Sequence, residues 1–139
     1  MAGNPEASQR LLVLGAGAGQ LGLLEAARKR NHFVVAVDRD PAAPGFRFAD
    51  RRAIISVEDE PQIDRLAAAQ RIDGIIAPGI DWPVAIAARI AERLALPHPV
   101  DAATAVLATS KLRQREQFAA AGRCPTGRYA QSCLGLIGP

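Results

Sequence analysis

The chain of 139 residues has few of the residue types that mark several common classes of protein. It has only two cysteines, Cys124 and Cys133, which are too few for a disulfide framework or a metal-ligand set. Aromatic residues make up 4% of the chain, and the formal net charge of +3 comes from intermixed basic and acidic residues. Base stacking and a concentrated phosphate-binding face therefore lack support, and we expect no nucleic-acid partner.

Long apolar runs are also missing from the sequence. No run approaches the length of a membrane span, and residues 1–10 are polar, without the hydrophobic core of a signal peptide. We therefore expect no membrane partner and a location in a reducing cytoplasm, where both cysteines remain unbridged.

Side chains for catalysis are equally scarce. His32 and His98 have no serine or cysteine at a recognisable motif spacing, so no catalytic triad is predicted. No pair of carboxylates has a spacing that demands acid–base or metal chemistry. We expect no catalytic residue and no metal ligand in this chain.

Lysine occurs only twice, as Lys29 and Lys111. Lys111 follows Ser110, a predicted N-cap, and begins a helix, where a cation opposes the helix dipole. A lysine placed against this local preference suits an anion such as a phosphate. The alternative is a solvated lysine at a helix end.

The chain is organised around residues 11–22, with the sequence LLVLGAGAGQLG. The leading apolar residues predict a short buried strand, and the glycines allow a sharp turn and close backbone approach. A helix is predicted from about Gly19, with Leu21 and Leu24 on one face. Free N–H groups and the positive end of the dipole then converge at one point, which suits an anionic ligand.

The same loop satisfies the dinucleotide-binding spacing through Gly17, Gly19 and Gly22. Asp38 ends the next apolar run, at a distance compatible with contact to a ribose. The alternative for the loop is a role in helix–strand packing alone, and the alternative for Asp38 is a structural turn.

Apolar runs alternate with helical patterns over residues 10–100, which indicates an α/β fold with a parallel sheet covered on both faces. Right-handed crossovers would place the four strands in the order 3-2-1-4, a Rossmann-like half of a doubly wound fold. The predicted strands are residues 11–14, 32–37, 52–57 and 73–77, and further helices begin near Asp59 and at Asp81, which is expected to cap its helix.

The rest of the chain is expected to flank this domain. Residues 1–9 should form a disordered lead, and residues 101–129 a C-terminal helical extension. In the extension, Asp101 caps a short helix, and Ser110 caps a second one that continues to Ala121. Residues 130–139 form a tail with too little apolar content for a further domain.

Four stretches resemble the ATP-grasp ligases in this order and spacing, over about residues 11–129. They are similar to the glycine loop, the loop after the second strand, the fourth strand with its turn, and the lysine helix leading into the ATP-binding part. Within this family the chain is similar to carboxyaminoimidazole ribonucleotide synthetases, biotin-carboxylase-type enzymes and carbamoyl-phosphate-synthetase-like proteins. The four stretches are residues 14–22, 38–50, 73–81 and 110–122.

The resemblance implies a pre-ATP-grasp domain that does not use NAD. The full-length ligases use ATP and Mg²⁺ to convert a carboxylate into an acyl phosphate, then pass the acyl group to an amine, thiol or related nucleophile. Lys111 matches the lysine that reaches nucleotide phosphate. The wall that faces a small-molecule carboxylate or amine substrate is matched by Gly17, Gly19, Gln20, Leu21, Asp38, Gly79 and Asp81.

The resemblance ends after Tyr129, before the phosphate-gripping lid and the magnesium carboxylates. This chain alone is therefore expected to lack most of the ATP site and to be inactive without the ATP-grasp module. Two other functions stay open: a free-standing NAD- or nucleotide-binding module, and an interaction domain that forms a homodimer. In the last case the exposed apolar surface would run along Val106, Leu107 and Phe118.

Overall fold

The computed structural model describes residues 8–79 and 81–122. Four strands, five helices and two short 3₁₀ turns follow one another along this part of the chain. The strands are β1 (Arg10–Leu14), β2 (Phe33–Asp38), β3 (Arg51–Ile54) and β4 (Gly74–Ile76). The helices are α1 (Leu21–Lys29), α2 (Glu60–Gln70), α3 (Asp81–Arg93), α4 (Ala102–Thr109) and α5 (Lys111–Ala120). The 3₁₀ turns are Ala18–Gln20 and Pro44–Phe48.

The strands form one parallel sheet in the order β3-β2-β1-β4, as predicted. In the central pair, Leu12 of β1 lies opposite Val35 of β2, and Val13 lies opposite Ala36. All four of these side chains are buried, because a parallel sheet with helices on both faces leaves neither side of its central strands to water.

Successive residues of the central strands enter two different cores. On one face, Leu12 and Leu14 pack with Ile63 of α2 and Ile90 of α3. On the other face, Val13 and its neighbours pack with side chains of α1 and of the loop after β2. That second cluster comprises Val13, Ala16, Leu24, Ala27, Val34, Ala36 and Ala43, with Phe46 and Phe48 against it.

Some element boundaries differ from the prediction. A 3₁₀ turn at Ala18–Gln20 precedes α1, which begins at Leu21 rather than near Gly19. The third strand ends at Ile54 instead of Val57, because the chain turns at Ser56, whose carbonyl accepts the Asp59 N–H. Asp81 is the first residue of α3 rather than a residue preceding it.

Helices α2 and α3 cover the same face of the sheet and are joined by a cluster of ion pairs. Glu60 accepts hydrogen bonds from Arg89 at 2.6 Å and from Arg93 at 3.0 Å. These bonds, with that from Arg89 the stronger, lower the pKa of Glu60 below its ordinary value of 4.5. The cluster joins the first turn of α2 to the C-terminal half of α3 and supports their packing.

The C-terminal extension is helical within the described residues. The predicted caps of α4 and α5 are confirmed: Asp101 accepts the Thr104 N–H at 2.7 Å, and Ser110 accepts the Arg113 N–H at 3.3 Å. Helix α4 packs on α3 through Ala105, whereas α5 contributes no buried residue.

The predicted exposed apolar surface of this extension is corrected in part. Phe118 is half exposed, as expected, and Leu112 is still more exposed. Val106 instead packs against the small alanine cluster between α3 and α4, and Leu107 lies partly buried between α4 and α5. The apolar surface is therefore on α5.

Parts of the sequence-based prediction lie outside the described residues. These are the disordered lead up to residue 7, both cysteines, and the end of the extension with the tail. Within the described residues, no helix is long and apolar enough to cross a membrane.

Candidate functional site

The carboxyl ends of the four strands meet at one edge of the sheet, where open α/β sheets bind ligands. Four connections leave this edge: the glycine loop after β1 (residues 15–22), the loop after β2, the connection after β3, and the β4–α3 turn (residues 77–82). The sheet order places β1 between β2 and β4, so the glycine loop stands at the centre.

The glycine loop turns sharply at its first residue. Gly15 has a φ of +107°, which a side chain would strain, and its N–H donates to the Val37 carbonyl at 2.8 Å. The chain then forms one 3₁₀ turn before α1 begins at Leu21.

Gln20 connects the glycine loop to the β4–α3 turn. Its side chain is only 6% exposed, and its Nε2 donates to the Pro78 carbonyl at 2.9 Å. The same side chain lies beneath the loop, since a Cβ added at Gly15 or Gly17 would lie 3.2 Å from it. A buried amide with a satisfied donor holds the two connections in fixed relation.

Asp38 holds the glycine loop from the other side. One carboxylate oxygen accepts the Ala16 N–H at 2.8 Å, and the other accepts the Asp40 N–H at 3.0 Å. Of the two roles that the sequence left open for Asp38, the structural turn is therefore present. Ligand contact by Asp38 stays a prediction.

Gly45 is a third support of the loop, and sequence reasoning missed its importance. Its N–H donates to the Ala16 carbonyl at 2.7 Å, and a Cβ at Gly45 would lie 2.4 Å from Leu24 Cδ1. The loop after β2 thus approaches the glycine loop as closely as backbone allows. The two prolines that precede Gly45 signal a fixed loop, but not which loop it touches.

A cleft of about 230 Å³ opens between the glycine loop and the connection after β3. Arg39 and Glu58, which both line the cleft, are exposed and charged, and neither was singled out from the sequence. In the sequence, the only feature that could have identified them is that each lies just after a predicted strand. The cleft is lined by Gly15, Asp38, Arg39, Ser56, Val57 and Glu58.

The β4–α3 turn presents an acid and an aromatic ring. Gly79 has a φ of +70°, which reverses the chain, and Asp81 and Trp82 follow in the first turn of α3. Asp81 is exposed, Trp82 is 62% exposed, and Pro83 beside them is buried. Trp82 was not predicted as a site residue, although a single tryptophan at such an edge is a signal in itself.

The structure thus brings all seven residues of the predicted wall to one edge of the sheet: Gly17, Gly19, Gln20, Leu21, Asp38, Gly79 and Asp81. Lys111 lies instead on α5, which packs against α4 through hydrogen bonds from Gln114 to the last carbonyls of that helix. The Lys111 side chain is exposed and forms no hydrogen bond or ion pair with any described residue. Over the same residues, no group of three or more His, Cys, Asp or Glu side chains could hold a metal ion.

Known proteins were compared with this chain by sequence and by fold. No family model matches the chain. The formate-dependent phosphoribosylglycinamide formyltransferase of Chlorobium phaeobacteroides is 33% identical over 73 residues, which are 52% of this chain and 18% of that protein.

Among solved structures, the phosphoribosylglycinamide synthetase of Anaerococcus prevotii matches with a TM-score of 0.73 and 25% identity. The match covers 82% of this chain and 29% of that one. The N5-carboxyaminoimidazole synthetase of Staphylococcus aureus, in complex with ADP, matches with a TM-score of 0.62 and 18% identity, over 84% of this chain and 31% of that one.

The resemblance to the ATP-grasp ligases is confirmed. The sheet order 3-2-1-4 with its helices matches the N-terminal domain of these ligases. This chain spans less than a third of the length of each of these three proteins.

Proposed function

We propose that this chain is the N-terminal, substrate-side domain of an ATP-grasp ligase that joins a carboxylate to an amine, thiol or related nucleophile. In such a ligase the carboxylate attacks the terminal phosphorus of ATP, releasing ADP and forming an acyl phosphate. The nucleophile then displaces phosphate from the acyl carbon. The domain proposed here contributes the wall that faces the acceptor substrate, and the ATP-grasp module supplies the rest.

The observation that carries this proposal is the hydrogen bond from the Gln20 side chain to the Pro78 carbonyl. A buried glutamine that fixes the glycine loop to the β4–α3 turn makes one rigid wall of two connections. A wall of this kind is suited to positioning a small molecule for a reaction whose other reactants are held elsewhere. The fold match to a longer synthetase, over 82% of this chain and 29% of that one, supports the assignment as one domain of such a ligase.

A dinucleotide site fits the loop less well. In a dinucleotide fingerprint the third glycine allows the helix to pack closely on a strand. Here a Cβ at Gly22 would meet nothing within 4 Å, so the spacing is present without that packing role. Both oxygens of Asp38 already accept backbone hydrogen bonds, which leaves less capacity for a ribose.

We propose that the described residues supply only a part of the ligase's ATP–magnesium site. Lys111 is the one residue that the resemblance assigns to nucleotide phosphate, and it lies on a helix with no other charged group assigned to ATP. We therefore assign ATP and Mg²⁺ to the whole ligase and derive no step through them for this chain. We also place the protein in the cytoplasm, with such ligases.

Calorimetric titration of the purified chain with NAD and with ATP–Mg²⁺ tests the proposal. We expect no binding of NAD at micromolar concentration and no tight binding of ATP–Mg²⁺. Micromolar NAD binding that is lost in Asp38→Asn, with the fold intact by circular dichroism, would refute the proposal and favour a free-standing dinucleotide module.

Helix α5 is proposed as the surface on which the rest of the ligase packs. Leu112 is 64% exposed and Phe118 is 50% exposed, and the helix buries no residue of its own. Apart from its contacts with α4, this helix of ten residues has no buried face, and so short a helix gains most of its stability from packing, which a covering surface would supply. Without the module, we propose that two copies of this chain cover each other there.

A further inference from the structure

A second cavity lies at the amino-terminal edge of the sheet, opposite the edge that carries the proposed acceptor wall. Its volume is about 210 Å³, and Arg10, His32 and Asp73 are among the residues that line it. Arg10 begins β1, His32 precedes β2 and Asp73 precedes β4, so the starts of three adjacent strands meet around this cavity. One water molecule needs roughly 15 Å³, so the cavity admits an ion of several heavy atoms.

The Arg10 side chain is held in the wall of this cavity by uncharged groups. Its Nη2 donates to Gln70 Oε1 at 3.2 Å, and its guanidinium lies 4.3 Å from the centroid of the Phe33 ring. Within the described part of the chain, Arg10 forms no ion pair, and its Nε is buried without a hydrogen-bond acceptor. Because arginine is always charged in a protein, this wall carries a positive charge that none of these residues neutralises.

Asp73 lines the same cavity but does not compensate for the Arg10 charge. Its Oδ2 accepts the backbone N–H of Arg10 at 2.7 Å, and it is not ion-paired with the guanidinium. Asp73 is exposed, so water screens its carboxylate, whereas Arg10 is partly buried and its Nε is withdrawn from water. The less screened charge in the cavity is therefore the positive one, and it favours an anion.

The donor groups in the cavity define the class of anion. A guanidinium binds a carboxylate or a phosphate through two parallel N–H groups that match two oxygen atoms. His32 lines the cavity as well, and its partly exposed imidazole, which bonds to none of the described residues, adds a ring donor. We infer that this cavity binds a small oxyanion, a carboxylate or a phosphate, at Arg10 and His32. The site lies apart from the acceptor wall and is independent of the proposed function.

Titration of the nitrogen-15-labelled full chain tests this inference. Inorganic phosphate and acetate are added separately, with sodium chloride at matched ionic strength as the reference. The resonances followed are the Arg10 Nε–H and the backbone amides of Leu11 and Gly74, which also line the cavity. We expect saturable shifts at millimolar phosphate or acetate and no saturation with chloride, and the anion that saturates at the lower concentration identifies the preferred oxyanion.

Three variants locate the binding. Arg10→Gln should raise the half-saturating concentration by about tenfold or more, since the charge-assisted hydrogen bonds are lost. Arg30→Gln removes an exposed positive charge at the same edge, from a residue that does not line the cavity, and should change the value by less than about twofold. His32→Gln should raise it by about threefold, and this variant carries the test if circular dichroism shows that Arg10→Gln is unfolded.

The absence of a saturable shift with both anions overturns the inference. Equal weakening in Arg10→Gln and Arg30→Gln also overturns it, because that result indicates general attraction to a basic surface. So does binding that is unchanged in whichever of Arg10→Gln and His32→Gln is folded. The NAD titration reports on the glycine loop at the opposite edge of the sheet, so the domain assignment and the oxyanion site can fail separately.

Discussion

Replacing Gly45 by alanine tests whether the loop after β2 supports the glycine loop by close backbone contact. The new Cβ would lie 2.4 Å from Leu24 Cδ1 and 2.6 Å from the Ala16 carbonyl oxygen. The φ of Gly45 is outside the left-handed range, so the expected cost comes from crowding alone.

The two contacts differ in how they can relax. Leu24 is fully buried, and shifting its side chain off a preferred rotamer costs about 0.5–1.5 kcal/mol. The Ala16 oxygen is backbone and accepts the Gly45 N–H at 2.7 Å, so it cannot withdraw without loss of that bond. Since overpacking in a dense core costs about 1–3 kcal/mol, we expect Gly45→Ala to cost about 3 kcal/mol.

Urea denaturation followed by circular dichroism measures this change, and Gly22→Ala is the matched control. Gly22 lies exposed in α1 with open space around its Cβ position, so alanine there should stabilise by about 0.5–1 kcal/mol. The two substitutions thus have opposite expected signs. A Gly45→Ala variant whose free energy of unfolding lies within about 0.5 kcal/mol of the parent's would refute the close approach of the loop after β2 to the glycine loop.

Three further predictions concern other parts of the chain. Glu60→Gln should lower the free energy of unfolding by about 1 kcal/mol at neutral pH, whereas Glu92→Gln should change it little. Because hydrogen bonds from Arg89 lower the pKa of Glu60, its contribution is present above pH 4.5 and is lost as the pH falls through the lower folded pKa. Urea titrations across the acid range should therefore show a flatter pH dependence for Glu60→Gln, and an unchanged profile would contradict the ion pair. Asp38→Ala leaves the buried Ala16 N–H without its acceptor and should lower the free energy of unfolding by about 1–3 kcal/mol. Thermal melting measures this change, and an unchanged melting temperature would contradict the role of the Asp38–Ala16 hydrogen bond. The parent should self-associate as concentration rises in sedimentation equilibrium, and Phe118→Asp should weaken this; a monomer at every concentration would exclude α5 as a self-association surface.

The sequence by itself predicted the sheet order and all five helices of the described residues. Continuous apolar strands such as the one ending at Leu14 have no amphipathic alternation, and only a sheet covered on both faces buries such runs. The helix caps at Asp101 and Ser110 were equally readable, because a capping side chain bonds to a backbone N–H three residues away.

The ends of strands and helices were predicted less well where a local turn competes with strand pairing or with the start of a helix. Ile55 and Val57 have strong strand propensity, yet β3 ends at Ile54 because Ser56 turns the chain toward α2. The 3₁₀ turn before α1 was also missed, since an alanine–glycine stretch has no pattern that separates a tight turn from a helix start.

What only the tertiary structure decided is which residues meet. Gln20 and Pro78 are 58 positions apart, Asp38 and Ala16 are 22 apart, and no periodicity in the sequence links either pair. Local propensity acts over a few residues, whereas these contacts depend on β1 lying between β2 and β4. The sequence therefore determined that a glycine loop stands at the edge of a parallel sheet, and the packing of distant segments determined that a buried glutamine joins it to the turn carrying Asp81 and Trp82.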